Sequence, residues 1–106
     1  MSIPFACDMT AIPPEKRGVH HALIRRLMTQ AVQDIRELPD GLAFQFPAEE
    51  YSAVAEFVGM ERLCCPFLTF TLEVSPDRGP LRLRLTGADG VKDFIRAELH
   101  LPAIPR

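Results

Sequence analysis

A chain of 106 residues, 47% hydrophobic and 25% charged, has room for one domain with one core and the balance of an ordinary globular protein. Its formal charge of −2 excludes the dense Lys/Arg field that a nucleic-acid or anionic-membrane surface needs, so neither is expected as a direct partner. No run approaches the ~18 apolar residues of a membrane span. The opening MSIPFACDMT lacks the basic start and apolar run of a signal peptide, so a cytoplasmic, reducing setting is expected.

Residues 1–12 carry Pro4 and no periodicity and read as an extended N-terminal arm. Pro13-Pro14-Glu15 then open a helix, proline being tolerated in a first turn and glutamate suiting the positive end of the helix dipole. Its expected apolar stripe is Val19, Ala22, Leu23 and Leu27, with Arg25 and Arg26 off it; residues 28–34 fit helix and strand equally. In Glu37-Leu38-Pro39-Asp40-Gly41 the Pro-Asp-Gly core predicts a turn, with proline fixing φ, aspartate offering an acceptor and glycine a positive φ. Alternation of Leu42, Phe44 and Phe46 with Ala43 and Gln45 predicts a strand, and residues 34–38 are its partner.

Pro47 starts a second helix that should run to about Cys64, because Pro66 disfavours helical geometry at Cys65. Leu68, Phe70, Leu72 and Val74 then alternate with polar residues, and Leu81, Leu83 and Leu85 alternate with Arg82, Arg84 and Thr86. The short connection makes a hairpin on which Glu73 can pair with the arginines. Gly87 to Gly90 leads into a last helix with Val91, Phe94, Ile95 and Leu99 as its stripe, ended by Pro102 and a short tail over 101–106. The sum is an α+β fold of order α-ββα-ββα in a single domain over residues 1–106. Four antiparallel strands carry helices on one face as a two-layer sandwich. The other face, with Gln45, Thr69, Thr71, Arg82 and Arg84, is left for water or for a second copy in a homodimer. Such a core does not need metal or disulfide to fold.

The chemistry concentrates in Glu61-Arg62-Leu63-Cys64-Cys65-Pro66. At about 100° per residue, Val54, Val58 and Cys65 share one arc of the second helix, with Tyr51 and Phe57 at its edges and Glu61 near its centre. Cys64 points about 100° away. An acid on an apolar face must be protonated, paired or at a pocket rim; Arg25, Arg26, His20 and His21 are the available partners. The vicinal histidines otherwise read as a solvated or capping pair, since neighbours on a helix point apart, and His100 as a group near helix-end carbonyls.

Three cysteines in a reducing compartment do not make a disulfide framework, and the Cys-x-x-Cys redox spacing is absent. As small hydrophobes they could simply pack the core. As thiolates, Cys64 and Cys65 with Cys7 swinging over from the arm suit a soft, low-coordinate ion such as Hg(II), As(III) or Cu(I); zinc, which favours four ligands in paired spacing, fits less well. Around those ligands Glu61, Arg62 and His21 would orient a ligand or take a proton. Three functions follow: a thiolate-binding protein that senses, buffers or transfers a soft metal or metalloid; a non-catalytic interaction or regulatory domain with structural cysteines; and a thiol-dependent enzyme. The last is disfavoured because a helix C-terminus raises a thiol's pKa and no Cys-His-Asn/Asp pattern is readable.

The block Glu61-Arg62-Leu63-Cys64-Cys65-Pro66-Phe67-Leu68-Thr69-Phe70, followed by Gly79-Pro80-Leu81-Arg82-Leu83-Arg84-Leu85-Thr86-Gly87, resembles a group of small, largely uncharacterised bacterial proteins bearing a Glu-Arg-x-Cys-Cys-Pro-Phe motif. Some of these are joined to, or encoded beside, regulators of the mercury-resistance type. The Cys7 region and the Leu38-Pro39-Asp40-Gly41 turn are similar too, so the resemblance spans most of the chain; Pro13 stands where a serine or threonine cap is usual. The resemblance implies a heavy-metal setting and a metal-responsive regulator as partner, not a reaction.

Overall fold

A computed structural model describes residues 6–101. The elements in chain order are α1 (Pro14–Arg26), β1 (Asp34–Leu38), β2 (Gly41–Phe46), α2 (Tyr51–Cys64), β3 (Thr69–Val74), β4 (Leu81–Thr86) and α3 (Val91–Glu98). The expected α-ββα-ββα order is therefore what the chain adopts. Its strands form one antiparallel sheet in the order β1-β2-β4-β3, so the two hairpins join through β2 and β4. Pro102, Pro105 and the tail lie outside the described residues, as does the first part of the arm.

The sheet is amphipathic for the reason its sequence suggests. Leu42, Phe44 and Phe46 on β2 and Leu81, Leu83 and Leu85 on β4 are sealed beneath the helices, while Arg82 points to water. β3 is an edge strand, so its inward face is covered only in part: Phe70 and Leu72 are half-buried, and Val74, expected inside, is 57% exposed. Glu73 stands opposite Arg82 in register, yet the pair does not close to an ion pair among the described residues. On α3, Val91 and Ile95 are buried, Leu99 is buried just past its end, and Phe94 meets Phe67 edge to face.

Three expectations are corrected. Gly41 does not have a positive φ; among the described glycines only Gly90 does. Glycine stands at 41 because β4 crosses there, and a Cβ would lie 1.9 Å from the Leu85 carbonyl oxygen. The stripe of α1 is rotated: Val19 is 59% exposed, whereas His20, Ile24 and Leu27 are buried, followed by Met28 and Ala31 in the π-helical turn Leu27–Ala31. On α2 the buried positions are Val54, Phe57, Glu61 and Cys64, while Tyr51 is half exposed.

The arm is also not extended throughout. Met9–Ala11 form a single 3-10 turn, capped by the Asp8 carboxylate accepting from the Thr10 N–H at 3.1 Å. Ile12 is fully buried, and the Asp8 N–H donates to the Cys64 carbonyl at 2.9 Å, which ties the arm to the end of α2. A second tie, from Arg26 to Glu50 through two bonds of 3.1 and 2.8 Å, joins the end of α1 to the start of α2. These two ties position the site.

Candidate metal centre

The last turn of α2 supplies the centre. The Cys65 N–H still donates to the Glu61 carbonyl at 2.8 Å, but Cys65 itself has left helical geometry, with φ −126° and ψ 66°, as the following proline demands. This swing brings the two adjacent side chains together instead of 100° apart. Their sulfurs lie 3.7 Å from each other. Both also touch Glu61: Cys65 Sγ is 3.5 Å from Oε2, and Cys64 Sγ is 3.6 Å from Oε1.

The docked arm adds the third sulfur. Ligand atoms of Cys7, Cys64, Cys65 and Glu98 all lie within 4.8 Å of one another. Residues 57 positions apart, 64 less 7, are thereby gathered at one point, as the sequence pattern led one to expect. Glu98 was not anticipated, although the signal was present: a wheel of α3 puts it between Phe94 and Val91 within the apolar arc, the same oddity that singled out Glu61.

Glu61 is fully buried and its partner is His20, whose Nε2 donates to Oε1 at 2.8 Å. His20 is itself only 2% exposed and stacks on Phe57 at a ring separation of 6.0 Å, so the solvated pair expected of His20-His21 is corrected to one buried and one exposed imidazole. The ligand atoms of His20, Glu61 and Cys64 form a second set within 4.8 Å, sharing Cys64 with the first. His21 and Arg62, expected around the ligands, are both exposed and belong to neither set. The Nδ1 of His20 has no hydrogen-bond partner among the described residues.

The electrostatics follow from this packing. Burial opposes a charged imidazole at His20, but hydrogen bonds to Cys64 and Glu61 and their charges outweigh it and raise its pKa to about 9. A hydrogen bond from Cys65, against burial and with further bonds from His20 and Cys7, lowers Cys64 to about 6. Cys64 thus departs from the high pKa expected at a helix C-terminus. Cys65 goes the other way, pushed far up by its bond to Cys64 and by burial; Cys7 is pushed up chiefly by burial. Burial also lifts Glu98 to about 7. At neutral pH one sulfur is an anion beside a cationic imidazole, and two thiols share the site with it.

All three cysteines are free. With a metal–sulfur bond of about 2.3 Å, two sulfurs on one ion stand at most ~4.6 Å apart, so the observed spread is within a few tenths of an ångström of a coordinating set. The cluster could hold a metal ion. Among the described residues no helix is long and apolar enough to cross a membrane. Comparison with protein-family models, with curated proteins and with solved structures finds no match in any of the three. Fold and site thus define the molecule by class alone: a two-layer α+β domain with a thiol–carboxylate–imidazole cluster at the end of its central helix.

Proposed function

We propose that this protein binds a thiophilic metal or metalloid ion of the Hg(II), As(III) or Cu(I) kind through Cys7, Cys64 and Cys65, and that it serves to sense, buffer or hand over that ion. The observation that carries this reading is the gathering of three sulfurs from two distant segments within 4.8 Å, beside the buried His20–Glu61 pair. Packing alone needs no such convergence. Thiolates select soft ions over hard cations, and a cationic His20 stabilises the anionic charge that the ligands carry. Glu98 stands in the same set as an oxygen ligand or a proton acceptor. A metal-responsive regulator is the partner that suits such a role, as the sequence resemblance implies.

Native mass spectrometry of the reduced chain with Hg(II), arsenite, Cu(I) and Zn(II) tests the reading. One soft ion per chain is expected, lost in Cys64→Ser and weakened in Cys7→Ser. Uptake no tighter than that of an unstructured cysteine peptide would remove it.

A second reading has its own observation. Cys64 stands beside the buried His20–Glu61 pair, so a thiol, an imidazole and a carboxylate, the residue types of an activated nucleophile, share one place, although the thiol does not occupy the free ring nitrogen of His20. Cys64 is fully buried, however, so a substrate could not reach its sulfur without displacing the arm. Alkylation by iodoacetamide separates the two: an enzyme nucleophile reacts faster than a free thiol, whereas a sealed ligand reacts slower.

A further inference from the structure

A cavity of about 260 Å³ lies directly against the cysteine cluster. Cys7 and Glu98 belong to both, so the cavity and the sulfurs share a wall. Cys64 and Cys65 are fully buried and Cys7 only in part, which makes Cys7 the sulfur that a solute in the cavity meets first. Met28 is part of its apolar lining, and His21, Arg25 and His100 stand on its wall. These last three are exposed and make no ion pair among the described residues. An apolar hollow with sulfur on its wall, and with one guanidinium and two imidazole N–H donors beside it, is suited to a small anion that carries sulfur.

We propose that this cavity docks the organic carrier of the ion: a low-molecular-weight thiol bearing carboxylates, its acid groups toward Arg25, His21 and His100 and its metal-bound sulfur against Cys7. The inference rests on the thiophilic-ion reading above and names the form in which the ion arrives. Such ions do not travel free, because their affinity for thiolates keeps them as complexes of abundant small thiols, two per ion for Hg(II). Transfer is then ligand exchange without change of oxidation state. A Cys7 sulfur–metal bond forms as one carrier sulfur–metal bond breaks, and the Cys7 thiol proton leaves on the departing carrier. A second exchange at the buried sulfurs forms a Cys64 sulfur–metal bond as the other carrier sulfur–metal bond breaks, the second carrier leaving as a thiolate that takes its proton from water, with the ion drawn inward.

The test is stopped-flow transfer of Hg(II) to the reduced chain from its bis-glutathione complex and from its bis-mercaptoethanol complex, at low salt. Arg25→Glu reverses an exposed charge and should slow transfer from the anionic carrier about tenfold, on the order of two surface charge contacts, while transfer from the neutral carrier changes less than about twofold. Arg25→Lys should restore the wild-type rate. Added salt should slow the wild-type reaction with the glutathione complex only. Equal effects on both carriers, or none, with Hg(II) still bound tightly, would overturn the docking site and leave the ion reading intact. Failure of Hg(II) to bind at all would overturn both.

Discussion

Glu61 and His20 are each sealed from water, and each finds its principal partner in the other. Removing one partner strands the second: His20→Leu should lower stability by about 3–5 kcal/mol, the cost typical of an orphaned buried charge. The double change His20→Leu with Glu61→Met removes both charges and should recover most of that loss; urea unfolding of the four chains decides it, and simple additivity would contradict the pairing. A second consequence concerns pH. His20 rises from 6.5 to about 9, so its contribution is complete below pH 6.5 and is lost as pH climbs through 9. Cys64 falls from 9.0 to about 6, so its contribution is complete above pH 9 and is lost as pH drops through 6. Between these limits the two slopes oppose each other. Wild-type stability should therefore stay nearly level from pH 6.5 to 9, while Cys64→Ser, which removes the rising slope and keeps only the part of the His20 shift that Glu61 supplies, should lose stability over the lower part of that interval.

Among the elements, the β2–β4 pairing holds the two hairpins as one sheet, and Gly41 is its tightest point. Gly41→Ala would drive a methyl group into the β4 backbone at Leu85 and should cost about 2 kcal/mol or more. In a domain of this size that is a fall in Tm on the order of 10 °C. The sequence made Gly41 a turn glycine, which was right about its neighbourhood and wrong about its reason, because a close approach from a strand forty residues on leaves no local mark. The stripe of α1 failed for a related cause. Val19, Ala22 and Leu23 were preferred for being apolar, whereas the structure buries His20 with Ile24 and Leu27 at i, i+4 and i+7. That spacing was readable; what hid it is that an imidazole becomes a core residue only once α2 brings a carboxylate to it.

For the molecule as a whole, the aliphatic and aromatic core spans the sheet and all three helices and includes Cys64 and Cys65 as buried members, with Cys7 packed against it. The chain should accordingly be folded without an ion, unlike a zinc finger, whose metal supplies its folding energy. An ion that binds only the folded chain adds RT ln(1 + [L]/Kd), about 4 kcal/mol at a thousandfold excess over Kd. Far-UV circular dichroism should then be nearly identical with and without Hg(II), while Tm rises. A chain unfolded until the ion is added would contradict this account of the core.

Local chemistry was enough to set the α-ββα-ββα order, the amphipathic strands, the end of α2 at Pro66 and the misplaced acid at Glu61, because periods of 2 and 3.6, a proline and a carboxylate on an apolar face each act within a few residues. It also marked Cys7, Cys64 and Cys65 as one candidate set. The sheet order, the choice of His20 over His21, the turn of Cys64 into the core and the arrival of Glu98 were decided only by the tertiary structure. Each of these depends on which distant segment lies opposite, and a pairing energy between segments has no expression in either one alone.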